Sequence, residues 1–224
     1  MTLKFILFDM DGTLTDTMRL QPFIIKTVLL KNSISFRQTQ HLMASIYYHN
    51  KFTWFKPKTP ILFAKVFKIS LFRMMFYSPL IILQYWRALR KERLFKDSET
   101  ILKSLKEKGF IVGLATNGTD FEVGLKIPSI VNLFDLKVTS SDVTHKKPNP
   151  EMILKGMQKA GTRPEETLYV GDTLVDFLAS KNAQTNFALL TTGTFGGDVV
   201  AVGSEKPDHI FSNLKELENF IIKS

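Results

Sequence analysis

Two rhythms of hydrophobic and polar residues divide this 224-residue chain. At the start, Phe5-Ile6-Leu7-Phe8 is a continuous apolar run cut off by Asp9, the pattern of a strand buried on both faces in a parallel sheet. After residue 96, runs of this kind alternate with helical spacing. Ile101, Leu102 and Leu105 share one face of a helix predicted over Ser98 to Lys108 and closed by Gly109, and a second strand follows from Phe110 to Ala115. Further strands are predicted at Leu136 to Thr139, Thr167 to Val170, Phe187 to Leu190 and His209 to Phe211. Helices are predicted over Pro150 to Ala160, Val175 to Asn182 and Leu214 to Ile222. Alternation of this kind predicts an α/β fold, a Rossmann-like doubly wound parallel sheet, whose ligands gather at the carboxyl ends of the strands.

Residues 17–96 break the alternation. Their apolar positions recur mainly at helical spacing, punctuated by Pro22, Pro57, Pro60 and Pro79. This predicts a helical cap domain inserted after the first strand, with residues 1–16 and 97–224 forming the core and the insert lying over the strand ends as a lid. Charge sharpens the division. The insert carries 15 Lys and Arg against the single acid Glu92, a net charge of +14, whereas the whole chain is only +9.

Within the insert, Ile61 to Tyr77 is apolar apart from a few polar residues that include Lys65, Lys68 and Arg73. At about 100° per residue these cations fall within an arc of about 140°. Three readings compete. The segment could be a cap helix packed on its neighbours, with the net charge drawing anionic substrates toward the site. It could lie on an anionic membrane, with Trp54 and Trp86 as interfacial anchors. It could bind nucleic acid or another polyanion, although no recognisable binding module is present. The uncharged run from Met74 to Trp86 contains Pro79 and falls short of the ~20 residues that span a bilayer.

Composition removes several chemistries. The chain has no cysteine, which excludes disulfides, thiolate metal sites and cysteine nucleophiles and leaves oxygen or histidine to hold any metal. The N-terminus enters its first strand without the pattern of a secretory signal, so a cytoplasmic protein is expected, with the basic insert as its point of contact at any membrane surface.

Four polar constellations remain as candidate chemistry. In Asp9-Met10-Asp11-Gly12-Thr13, two carboxylates at i and i+2 sit where a strand ends, so one could serve as nucleophile and the other as proton carrier. The same wording also opens calcium loops and ordinary turns. Thr116-Asn117-Gly118, just past the second strand, offers a hydroxyl, an amide and backbone N–H groups to a phosphate oxygen, or is a turn with no ligand. Lys147, in Lys146-Lys147-Pro148-Asn149-Pro150, could place a point charge against a phosphoryl group, or be solvated. Gly171-Asp172-Thr173-Leu174-Val175-Asp176 brings a second acidic pair suited to Mg²⁺, or merely a helix N-cap at Asp172 and a surface acid at Asp176.

Taken in this order, the four constellations resemble the haloacid dehalogenase-like (HAD) hydrolase superfamily, whose pattern is Asp-x-Asp-x-Thr, then Thr or Ser, then Lys, then Gly-Asp-x-x-x-Asp. The likeness covers residues 3–16 and about 97–222. Lys147-Pro148-Asn149-Pro150-Glu151 and Val170-Gly171-Asp172 further resemble the wording of phosphoglycolate phosphatase-like members, which carry a helical cap of the first type. The resemblance implies a Mg²⁺-dependent phosphomonoester hydrolase acting on a small phosphorylated metabolite. In it Asp9 would attack phosphorus, Asp11 would protonate the leaving oxygen and then activate water, and Thr116 and Lys147 would bind the phosphoryl group. Mg²⁺ would be held by the Asp9 carboxylate, the Asp11 backbone carbonyl and Asp172, with Asp176 supporting the metal's waters. A phosphomutase, or a non-catalytic protein docking through its basic cap, are the rival expectations. The insert matches no substrate subgroup, so the leaving group stays open.

Overall fold

The computed structural model describes residues 3–16, 93–192 and 206–224, together with Ser70, Phe72, Phe76, Pro79, Leu80, Leu83 and Arg87. The chain divides into two units, Met1–Thr17 with Glu92–Ser224, and Met18–Lys91. The expected cap helices, the cationic segment from Ile61 to Tyr77 as a whole, and Trp54 and Trp86 lie outside the described residues. Among the described residues no helix is long and apolar enough to cross a membrane.

Among the described residues, six strands build the first unit: β1 (Phe5–Phe8), β2 (Ile111–Ala115), β3 (Leu136–Val138), β4 (Thr167–Gly171), β5 (Asn186–Leu190) and β6 (His209–Phe211). They form one sheet in the order β3-β2-β1-β4-β5-β6, with every neighbouring pair parallel. The order reverses at β1, whose two neighbours are β2 and β4, so a crevice opens there at the carboxyl edge of the sheet. Among the described residues, five α-helices accompany the strands: α1 (Ser98–Glu107), α2 (Asp120–Lys126), α3 (Glu151–Ala160), α4 (Leu174–Asn182) and α5 (Leu214–Lys223).

The apolar runs become strands because both faces of the sheet are covered. Ile6 and Phe8 face one buried cluster with Val112, Leu114, Leu168 and Val170, filled from the helices by Ile101, Leu102 and Leu105 of α1, Val123 of α2 and Leu217 of α5. Phe5 and Leu7, alternating with them, face a second cluster with Tyr169, Phe187, Met152 and Ile153 of α3 and Phe177 of α4. The period-two alternation of side chains therefore sends β1 into two separate cores, and a polar residue anywhere within Phe5–Phe8 would be buried. Only where β1 ends can a carboxylate meet solvent and ligand.

The sequence pattern contains no helix between Ala115 and Leu136, yet α2 forms there. Its start is a capping box: the Thr119 side chain accepts from the Glu122 N–H while the Glu122 carboxylate accepts from the Thr119 N–H. Seven residues give too short a run for apolar periodicity to stand out, and α2 is held by its cap and by burial of Val123 and Lys126.

Candidate active site

All four candidate constellations lie at the carboxyl edge of the sheet. Asp9 follows β1, Thr116 follows β2, Lys147 lies on the loop between β3 and α3, and Asp172 follows β4, with Asp176 in the first turn of α4. Side chains up to 167 positions apart in sequence are thereby gathered by the ends of four neighbouring strands, β3-β2-β1-β4.

Lys147 is the hub of the cluster. Its ammonium donates to Asp9 Oδ1 at 2.6 Å, to Asp176 Oδ1 at 2.7 Å, to the Tyr169 hydroxyl at 2.8 Å and to the Ala115 carbonyl at 3.1 Å. The Lys147 side chain is 3% exposed, so this lysine is no solvated loop residue. Burial works against its charge, but the carboxylates of Asp176 and Asp9 outweigh that and hold its pKa well above the ordinary lysine value. Its backbone is clasped by Asn117, whose Oδ1 accepts from the Lys147 N–H at 3.0 Å while its amide donates to the Lys147 carbonyl at 3.3 Å. Asn117 thus orients the lysine. Thr116 is buried beside it, and its hydroxyl oxygen accepts the Gly118 N–H at 3.1 Å.

The two acids of the last constellation have different surroundings. Thr173, and not Asp172, is the N-cap of α4. Asp176 closes the capping box: its Oδ2 takes hydrogen bonds from the N–H and hydroxyl of Thr173, and its Oδ1 takes those from Lys147 and Tyr169. Both of its oxygens are occupied. Asp172 is fully buried, and neither of its carboxylate oxygens has a hydrogen-bond partner among the described residues. Such a group is costly unless a cation meets it.

One carboxylate oxygen each from Asp9, Asp172 and Asp176 lie within 4.8 Å of one another. Ionised, these three acids and Lys147 would sum to a charge of −2, which a divalent ion with hard-oxygen preference would offset. Without it the cluster takes up protons. Burial, reinforced by the charges of Asp176 and Asp11 and only partly countered by Lys147, raises the Asp9 pKa to about 7. Burial, with Asp176 and Asp9 as neighbours, raises that of Asp172 well above the ordinary carboxylate value. The unpartnered Asp172 oxygens and the all-oxygen donor set fit Mg²⁺.

Gly12 shows how little room the cluster leaves. Its φ is +88°, a left-handed conformation that favours glycine, and a Cβ there would fall 2.1 Å from Asp172 Oδ2. The turn therefore wraps the Asp9–Asp11 segment directly onto Asp172. Asp11 stands apart from the acidic trio. Its Oδ2 accepts from Lys126 Nζ of α2 at 2.7 Å, and the lysine side chain is 4% exposed.

Lys126 and Tyr169 were not among the sequence candidates. Tyr169 reads as one more apolar residue of a buried strand, and nothing in the pattern around it signals a hydroxyl aimed at Lys147. Lys126 could have been found only by following the Thr119-Asp120-Phe121-Glu122 capping box into a helix and asking what its last turn faces.

The chain has known relatives. Residues 6–190 match the model of the family described as haloacid dehalogenase-like hydrolase. The chain belongs to that family. Among its HAD-like relatives, Pyrophosphatase PpaX of Bacillus cereus is 29% identical over 228 residues, covering 97% of this chain and 95% of that protein. Pyrophosphatase PpaX of Bacillus mycoides is 32% identical over 131 residues, 56% of this chain and 60% of that protein. A HAD-superfamily hydrolase of subfamily IA, variant 1, from Geobacter sulfurreducens superposes with a TM-score of 0.69 at 20% identity, covering 98% of this chain and 96% of that one. A structure described as a predicted phosphoglycolate phosphatase from Haemophilus somnus gives a TM-score of 0.71 at 21% identity, with 97% of each chain covered. At these identities the structural likenesses speak for the HAD fold.

Proposed function

We propose that this HAD-like hydrolase is a Mg²⁺-dependent phosphatase that releases phosphate from a small phosphorylated metabolite through an aspartyl-phosphate on Asp9. The observation that carries this reading is the arrangement around Asp9: a carboxylate at the end of the central strand, 2.6 Å from the buried Lys147 ammonium and clustered with an Asp172 carboxylate that no protein group satisfies.

Asp9 and Asp172 would hold the metal, together with the Asp11 backbone carbonyl, while Asp176 stands behind them. When bound, Mg²⁺ supplies positive charge against the phosphoryl oxygens. The remaining work falls to the protein's own groups. A carboxylate oxygen of Asp9 attacks phosphorus, and the bond from phosphorus to the leaving oxygen breaks. Asp11 gives that oxygen a proton, then takes a proton from the water that attacks the phosphorus, which releases inorganic phosphate and restores the Asp9 carboxylate. Lys147 and the Thr116–Gly118 turn bind the phosphoryl oxygens, and Asp176, Tyr169 and Asn117 hold Lys147 in place. Lys126 fixes the Asp11 carboxylate outside the metal cluster, so that the two motif aspartates keep separate roles.

The relatives named pyrophosphatase, one of which covers 97% of this chain, support a second reading in which the bond broken is a phosphoanhydride. Phosphate release from an aryl phosphate, phosphoglycolate and pyrophosphate, each with Mg²⁺ and with chelator, separates the two readings. Metal-dependent release that Asp9→Asn abolishes supports catalysis at this site; equal release by the variant overturns it. With a hexose phosphate, whose further hydroxyls can receive the phosphoryl group, an isomerised product would indicate a mutase.

A further inference from the structure

The loop between β3 and α3 carries three side chains able to hold positive charge, His145, Lys146 and Lys147, and two of them are engaged inside the protein. Lys147 is committed to Asp9 and Asp176, at 2.6 and 2.7 Å. The His145 ring lies 3.2 Å from the Glu151 carboxylate. Lys146 is exposed, and no carboxylate among the described residues pairs with it.

Its place is nevertheless defined. Glu151, in the first turn of α3, accepts the backbone N–H groups of Thr144 and His145 at 2.9 and 2.8 Å. The Asn149 N–H donates to the Lys146 carbonyl at 3.0 Å, and Asn117 clasps the backbone of Lys147. With the main chain held on both sides of it, Lys146 turns its ammonium to the Asn117 carbonyl, 3.5 Å away. That carbonyl and the Gly118 N–H share one peptide unit, so the ammonium lies no more than about 6 Å from the Gly118 nitrogen. Gly118 closes the turn that receives the phosphoryl oxygens in the proposed reaction, on which this inference rests.

Bonds of about 1.5 Å bring a group two or three bonds beyond phosphorus within that reach. A neutral leaving group gains nothing there, whereas a phosphate or carboxylate gains a charge-assisted hydrogen bond. Lys147 cannot serve this second anion, because its charge is already shared between two carboxylates. We propose that Lys146 is a specificity-determining residue that binds a second anionic group of the substrate, selecting molecules whose scissile phosphoryl group stands two or three bonds from a further phosphate or carboxylate.

Steady-state kinetics test this with pyrophosphate, phosphoglycolate and phenyl phosphate at one free Mg²⁺ concentration. Lys146→Gln should raise KM for one or both of the first two by about tenfold or more, and for phenyl phosphate by less than about threefold. The effect should fall on KM rather than kcat, and Lys146→Arg should recover most of it. A rise for pyrophosphate alone makes the second anion a phosphate; a rise for phosphoglycolate alone makes it a carboxylate. The inference is overturned if KM rises equally for all three, the mark of long-range charge, or if none moves by as much as about threefold. Binding without turnover separates it from the reaction. By calorimetry with Mg²⁺, the wild type should hold phosphonoacetate or methylenediphosphonate about tenfold more tightly than methylphosphonate, and Lys146→Gln should lose that preference. A protein that shows the preference but releases no phosphate would overturn the proposed reaction and leave Lys146 its role; one that prefers neither compound overturns the role of Lys146 itself.

Discussion

Asp172 carries the sharpest expectation at the scale of single residues. Its buried oxygens lack any protein donor, so a cation is what makes the charged form tolerable. Replacement by Asn should abolish the thermal stabilisation that Mg²⁺ gives the wild type and lower phosphate release by about a thousandfold. Differential scanning fluorimetry with and without Mg²⁺ reads the first effect and phosphate release the second; a variant that still gains stability from Mg²⁺ would move the metal elsewhere. Lys126 should behave differently. It touches Asp11 and not the acidic trio, so Lys126→Met should reduce kcat by roughly ten- to a hundredfold through a misplaced proton carrier. The loss should grow with the pKa of the leaving alcohol across a series of aryl and alkyl phosphates, and Lys126→Arg should recover part of it. The stabilisation by Mg²⁺ should not change.

At the scale of elements, the strands and most helices were legible because burial on both faces leaves so distinct a mark. Phe5–Phe8 and Thr167–Gly171 are apolar at successive positions because each neighbour faces a different core, and Gly161, in the left-handed conformation at φ +66°, closes α3 where the pattern ends it. The strand ends were legible too, since a carboxylate directly after such a run has nowhere to go but the sheet edge. What could not be read was anything decided by a short or irregular element. Helix α2 is one case: seven residues, a polar first turn and a buried lysine in the last turn give no apolar stripe. Tyr169 and the Asn117 clasp on Lys147 are others, because hydrogen bonds between side chains far apart in sequence leave no period in it. Cap chemistry explains α2, and it can be tested: Thr119→Ala should cost about 1 kcal/mol of stability by urea denaturation. Because α2 carries Lys126, the same change should also lower kcat.

Across the whole molecule, the buried charge couples stability to pH and metal. An isolated aspartate has a pKa near 3.8, and in the folded protein Asp9 is raised to about 7. Between these values the folded state holds a proton that the unfolded state has released, so stability is greatest on the acid side and falls as pH rises through this window. Mg²⁺ needs the ionised carboxylates and competes with those protons. Melting temperature in chelator should therefore drop between about pH 5 and about pH 8, while the gain on adding Mg²⁺ should grow over the same range. A Mg²⁺ shift that is constant with pH would sever this link.

The central place of β1 has a consequence for how the protein comes into being. Asp9 precedes all of its partners along the chain: its strand needs β2 on one edge and β4 on the other, and Lys147, which donates to it, also donates to Asp176. A growing chain therefore carries Asp9 with no lysine to steady it and no Asp172 beside it until residues 147 and 172 have been synthesised. The acidic cluster is thus a product of late pairing, assembled only when the strands that follow close in around β1.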